Sequence, residues 1–162
     1  MRFKQFNQLN YLLEGIKVIH KDDNIRKISS ELYTFTIDGY KYEFISEPID
    51  IGDIVIYNTY FTSDGQINRQ NKFKDSSAIR VFNKVITCMV YFINDIEPEM
   101  FTFTSKDPKL LKLYNLIIVK IMKQKPFDQY KHKKNSTGWT FIKNNAGYLT
   151  SEMLNTELLG KL

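Results

Sequence analysis

The chain has 162 residues, a hydrophobic fraction of 43% and an aromatic fraction of 14%, enough to bury the core of one domain, which excludes a disordered chain. It has no run of about 18 apolar residues, so no membrane-spanning helix is expected, and its single cysteine, Cys88, excludes an intramolecular disulfide. The net charge of +5 is uneven: residues 106–134 hold nine lysines against Asp107 and Asp128, a net of +7, which leaves −2 for the remainder.

Phe3, Phe6, Leu9, Leu12, Leu13 and Ile16 recur at helical spacing and predict a helix over about 3–14, ended by Gly15. Residues 16–19 read as a short strand and 21–30 as a polar connection. Residues 32–46 read as a hairpin. Tyr33, Phe35 and Ile37 alternate with Thr34 and Thr36, and Tyr40, Tyr42 and Phe44 continue the alternation on the return. Between them, Asp38-Gly39 supplies the two residues that a type I′ turn holds at positive φ. Pro48 and Gly52 then bound a turn, 53–61 reads as a third strand, and 62–75 as a polar loop.

Ser76 or Ser77 is placed to cap a helix whose stripe of Ile79, Phe82, Val85, Ile86, Met89, Val90 and Ile93 runs to about residue 93. Residues 100–104 alternate again. Asp107 then offers a cap and Pro108 a first helical residue, ahead of Leu110, Leu113, Tyr114, Ile117, Ile118 and Ile121. If the strands at 53–61 and 100–104 are parallel neighbours, the right-handed crossover rule governs their connection. Residues 127–137 read as a loop, Trp139, Phe141 and Tyr148 as a late strand or edge hairpin, and 151–159 as a short terminal helix. The expected fold is one α+β domain over 1–162, with 124–162 as a C-terminal extension. Its mixed, mostly antiparallel sheet packs against two or three helices.

Motifs for chemistry are missing. His20 and His132 are the only histidines, and there is no CxxC, HExxH, GxSxG, GxxxxGK or GxGxxG. His20, beside Lys21 and the Asp22-Asp23 pair, has the neighbours of a general base but no accompanying nucleophile motif. Asp50, Asp53, Asp64 and Asp75 read as loop carboxylates, and Cys88 as a buried thiol. No catalytic residue, metal ligand or cofactor is therefore expected.

A basic surface is legible. Lys109, Lys112, Lys120 and Lys123 fall opposite the apolar stripe of their helix. Lys131, Lys133 and Lys134 follow in a basic loop beside Trp139, whose ring could stack on a base. These eight residues form the candidate nucleic-acid surface. The competing reading is an ordinary solvated lysine face with Trp139 in the core. Lysine in place of arginine argues against bidentate base recognition.

The stretch Ala78-Ile79-Arg80-Val81-Phe82-Asn83-Lys84-Val85, the strand Phe101 to Ser105 and the pair Leu113-Tyr114 resemble a loose group of small tailed-phage-encoded proteins of uncharacterised function. In that group an A-x-x-V-F-x-x-V helix precedes an I-x-F-x-A strand and a helix containing S-R-x-x-L-Y. The serine-arginine pair is replaced here, since Lys109-Leu110-Leu111-Lys112 precede Leu113. The Leu-Tyr end also resembles, distantly, the late helix of the GNAT acyltransferase superfamily, whose R/Q-x-x-G-x-G/A pyrophosphate loop has no match in the chain. The resemblance implies a phage protein of the host cytoplasm, similar in fold to GNAT, that binds a host or phage macromolecule without catalysis, as an inhibitor, an anti-defence factor or a virion component. A protein partner is expected ahead of nucleic acid. The alternatives are nucleic-acid binding through the lysines and a divergent acyltransferase-like enzyme. Pairing of an open sheet edge offers a route to a homodimer.

Overall fold

A computed structural model describes residues 13–63, 66–67, 75–105 and 108–145. The predicted helix over 3–14 falls within these bounds only at its end, where residues 13–15 are helical; Tyr148 and the helix over 151–159 lie outside the described residues. Residues 16–19 form no strand. They cross onto the helices instead: Ile16 is 2% exposed, the Lys17 N–H donates to the Asn83 side chain, and the Asn83 amide donates to the Gly15 carbonyl.

The hairpin forms as read. Strand β2 (Leu32–Ile37) meets β3 (Tyr40–Ile51) through Asp38 and Gly39, whose φ angles are 52° and 81°. Strand β1 (Arg26–Ser29), which lies in the segment read as a connection, adds to β2 at the sheet edge. All of its side chains are exposed, so no inward apolar alternation marks it. Pro48 does not end β3; the turn comes at Gly52, whose φ is 61°, and leads into β4 (Ile54–Ser63). The physical reason is register. Ser46 sends its N–H to Glu31 on the β2 side, and Pro48, two residues on, faces the same side beyond the end of β2. Its missing N–H therefore costs no ladder bond.

A two-residue strand, β5 (Gln66–Ile67), pairs with the end of β4. Helix α1 (Asp75–Ile96) starts just ahead of the serines expected to cap it and runs past residue 93. It returns the chain to β6 (Met100–Thr104), parallel to β4. Helix α2 (Pro108–Ile121) follows, then a short 3-10 turn, β7 (Tyr130–Lys134) and β8 (Gly138–Lys143). The sheet order is β1-β2-β3-β4-β6-β8-β7, with β4–β6 its parallel pair. The fold is α+β: a mixed, mostly antiparallel sheet packed against α1, α2 and the helical residues 13–15.

One face of the sheet and the apolar stripes of α1 and α2 enclose an aromatic core. Phe101 stacks on Phe141 at 4.6 Å and meets Phe92 and Tyr130 edge-on. Tyr114 of α2 meets Phe103 at 5.0 Å and Phe82 at 5.6 Å, tying both helices to the middle of the sheet. On the other face, Ile56 and Met100 centre a smaller apolar cluster with Ile51. Gly138 is required where β8 approaches β6, because a Cβ there would lie 2.0 Å from the Phe103 carbonyl oxygen.

A polar seam fastens the first half of the chain to α1. The Lys84 ammonium donates to Asp22 at 2.6 Å, and the Tyr91 hydroxyl accepts the Asp22 N–H. The Tyr33 hydroxyl and the Lys27 ammonium both donate to Asp95, at 2.5 and 2.7 Å. Burial alone raises the Asp22 pKa, but the hydrogen bonds from Lys84 and the Asn24 N–H, with the Lys84 charge, bring it below 3.8. Asp95 is lowered chiefly by the Lys27 hydrogen bond and then by the Tyr33 hydroxyl.

Two outcomes follow from this packing. A depressed carboxylate pKa gives stability that is complete above the unfolded value and lost as pH falls through the folded one. The stability gap between the wild type and Asp22→Asn or Asp95→Asn therefore closes as pH drops from about 6 to about 2; a gap independent of pH would contradict the seam. Gly138→Ala lowers stability by about 1–3 kcal/mol, seen as a lower urea midpoint at unchanged slope.

Candidate functional site

Helix α2 turns Tyr114, Ile117, Ile118 and Ile121 into the core, which fixes what its outer face can show. Lys112 is exposed on that face, and Lys123 is exposed just beyond the helix. Between them lie Leu116 and Val119, 37% and 54% exposed. Lys120 donates to the Leu13 carbonyl, so it works as a tether for the N-terminal segment. The outer face of α2 is therefore interrupted by apolar residues and is not a continuous lysine strip. The Lys109 side chain lies outside the described residues.

The KHKK run, read as a loop, is an edge strand. Lys131, His132, Lys133 and Lys134 are exposed members of β7, paired with β8 in unbroken register from Tyr130↔Lys143 to Lys134↔Trp139. Phe141 and Trp139 lie in the helix-side core, so their partners His132 and Lys134 point to that side, while Lys131 and Lys133 point to the other. Tyr130 anchors the start of the strand: it is 5% exposed and its hydroxyl donates to the Pro98 carbonyl at 2.6 Å.

Trp139 leaves the candidate surface. It is 1% exposed, registers against Phe103 and meets Tyr114 edge-on at 6.3 Å, so its ring is not presented for stacking on a base. The alternation Trp139, Phe141 was the available signal for this placement.

Charge pairing divides the molecule. Lys27–Asp95, Lys84–Asp22 and Arg80–Asp38 hold basic residues between positions 27 and 84 at 2.5–2.7 Å from carboxylates, with Lys41–Glu43 and Lys21–Asp23 looser. Residues 108–145 contain nine lysines and one acidic residue, Asp128. Among the described residues, no ion pair includes Lys112, Lys123, Lys125, Lys131 or Lys134. Lys125, absent from the sequence-derived set, is exposed at the turn that leads towards β7. Clustered uncompensated cations raise the local potential and concentrate anions.

The other chemical candidates are occupied. The Asp22 carboxylate beside His20 is bound by Lys84, and Asp23 faces Lys21 at 3.8 Å. Cys88 is 0% exposed and burial pushes its thiol up, away from reactivity. At the centre of the sheet, Asn58 accepts hydrogen bonds from the Thr102 and Thr104 hydroxyls at 2.8 and 3.2 Å, while the Thr59 hydroxyl donates to the Thr102 carbonyl. Tyr60 donates to Glu47 at 2.5 Å, and burial together with that carboxylate pushes its pKa up to about 12. The cavity between α1, α2 and β6 is about 20 Å³ and lined by apolar residues including Phe82, Met89 and Ile118; it has room for about one water and stays dry. Among the described residues, no group of three or more His, Cys, Asp or Glu is placed to hold a metal ion, and no helix is long and apolar enough to cross a membrane.

No protein-family model matches the chain, and no curated protein matches it.

The placement of Trp139 has a direct consequence. Trp139→Ala lowers stability by about 3–5 kcal/mol, measured by chemical denaturation. Under conditions where the variant is fully folded, it leaves anion binding by the lysines unchanged; selective loss of that binding would return the ring to the surface.

Proposed function

We propose that the chain is a phage-encoded, non-catalytic accessory protein of the host cytoplasm that acts by binding an acidic macromolecule of host or phage. The observation that carries the reading is a set of exposed lysines that no ion pair reaches among the described residues: Lys131 and Lys134 in edge strand β7, and Lys123 and Lys125 in the segment that precedes it. Lys133 lies in β7 as well. Phage origin draws on the short motifs at Ala78–Val85, Phe101–Ser105 and Leu113-Tyr114. The same charge argues against a homodimer through this edge, because pairing two β7 strands sets three lysines of one copy against three of the other.

A polyanion bound this way releases counterions, so affinity falls with salt. Fluorescence anisotropy with labelled single-stranded DNA, RNA and an acidic polypeptide, at about 50 and about 300 mM salt, tests the reading. Binding of at least one anion at low salt is expected, weaker at high salt. Its loss is expected when Lys123, Lys125, Lys131, Lys133 and Lys134 are changed together to glutamate. Binding of none of the three at low salt would sink the proposal.

A second reading, a divergent acyltransferase-like enzyme, has one observation in its favour. Strands β4 and β6 pair in parallel from Tyr57↔Phe101 to Thr59↔Phe103, and β4 then continues to Ser63 without β6 beside it. Helices α1 and α2 follow these two strands, so both begin at that carboxyl end, where open α/β sheets form ligand crevices. The R/Q-x-x-G-x-G/A loop is missing from the chain. Calorimetry with acetyl-CoA separates the readings: heat of binding at micromolar ligand supports the second, and a flat titration removes it.

A further inference from the structure

Strand β7 has a second property besides its charge. The Asn144 N–H donates to the Gln129 carbonyl and the Asn135 N–H to the Gly138 carbonyl, so these residues form hydrogen-bonded pairs at the two ends of the β7–β8 ladder. Such pairs alternate with non-hydrogen-bonded ones along an antiparallel ladder. Lys131 and Lys133 therefore direct N–H and C=O towards β8. His132 and Lys134 direct theirs away from it, to the side where the sheet ends.

The opposite edge is different. Strand β1 carries an irregularity between Lys27 and Ser29, and Lys27 is engaged by Asp95. Irregularities and engaged charges blunt an edge. Strand β7 has unbroken register, and no ion pair reaches Lys131 or Lys134 among the described residues.

We propose that β7 takes an acidic extended segment of a partner protein as an added strand. The inference rests on the basic edge being the binding surface and names how that surface is used. Outward N–H and C=O groups at alternate residues complement another polypeptide strand. The lysines alternate as an added strand's side chains do: Lys131 and Lys133 on one face, Lys134 beside His132 on the other. A phosphate backbone following the edge would meet both faces at once only by wrapping it. The buried Trp139 leaves it no stacking platform, and the edge carries no arginine. Carboxylates on both faces of an added strand meet lysines on both faces.

The probe is a labelled peptide of about eight residues repeating Glu-Glu-Thr-Thr, which puts carboxylates on both faces of an extended strand, compared with one of equal charge repeating Glu-Glu-Pro-Pro. Paired prolines remove N–H donors from both edges of the strand, so the second peptide cannot complete the ladder in any register. Anisotropy is expected to show the first binding the wild type at least about tenfold more tightly. In the protein, His132→Pro removes an outward N–H without touching the β8 ladder, and is expected to weaken the first peptide about tenfold at unchanged thermal unfolding. His132→Ala, which keeps the N–H, is expected to bind as the wild type does. Equal binding of the two peptides would overturn strand addition while leaving charge-driven binding in place. Binding of DNA or RNA with no binding of either peptide would overturn it in favour of nucleic acid. Failure of every anion would remove both this inference and the reading beneath it.

Discussion

The parallel contact between β4 and β6 is the joint on which the structure depends. Three residue pairs, from Tyr57↔Phe101 to Thr59↔Phe103, unite the antiparallel block β1–β4 with the antiparallel block β6–β8–β7. So short a ladder is reinforced on both faces. The Asn58 carbonyl gathers the Thr102 and Thr104 hydroxyls on the face away from the helices. On the helix face, Phe92 of α1 packs against both Tyr57 and Phe101, and Phe61 stacks with Phe103. Helix α1 is thus both the connection between the parallel strands and the element that clamps them.

The parts of this arrangement that were legible in the sequence are those where local chemistry and burial agree. Asp38-Gly39 predicted the hairpin because the turn needs positive φ, and α1 and α2 showed themselves by apolar stripes that the core uses. Pro48 was misleading because a missing N–H excludes only an interior strand position, and the end of β3 is open on one side. Strands β1 and β7 were not legible. Both lie at edges, where exposed residues carry no alternation: RKIS is exposed throughout, and in YKHKK only Tyr130 is buried.

The same blind spot shaped the candidate site. Helical spacing placed Lys112 on the outer face of α2, but it could not foresee that Lys120 reaches the Leu13 carbonyl 107 residues earlier in sequence, nor that Leu116 and Val119 share the exposed face. Charge counting found the basic half of the chain. It could not distinguish lysines with carboxylate partners from those without, because partners such as Lys27 and Asp95 meet only through the fold. With that distinction, the weight of the proposed function moves from α2 to the β7 edge, where outward backbone N–H and C=O groups occur beside Lys131 and Lys134, which no ion pair reaches among the described residues.

That edge exists only if residues 130–134 hold the β8 register, and amide hydrogen exchange in the free protein tests this residue by residue. The Lys131 and Lys133 amides should exchange slowly because they face β8, and those of His132 and Lys134 rapidly because they face the open side. Uniformly rapid exchange from 131 to 134 would mean a basic loop and contradict the account.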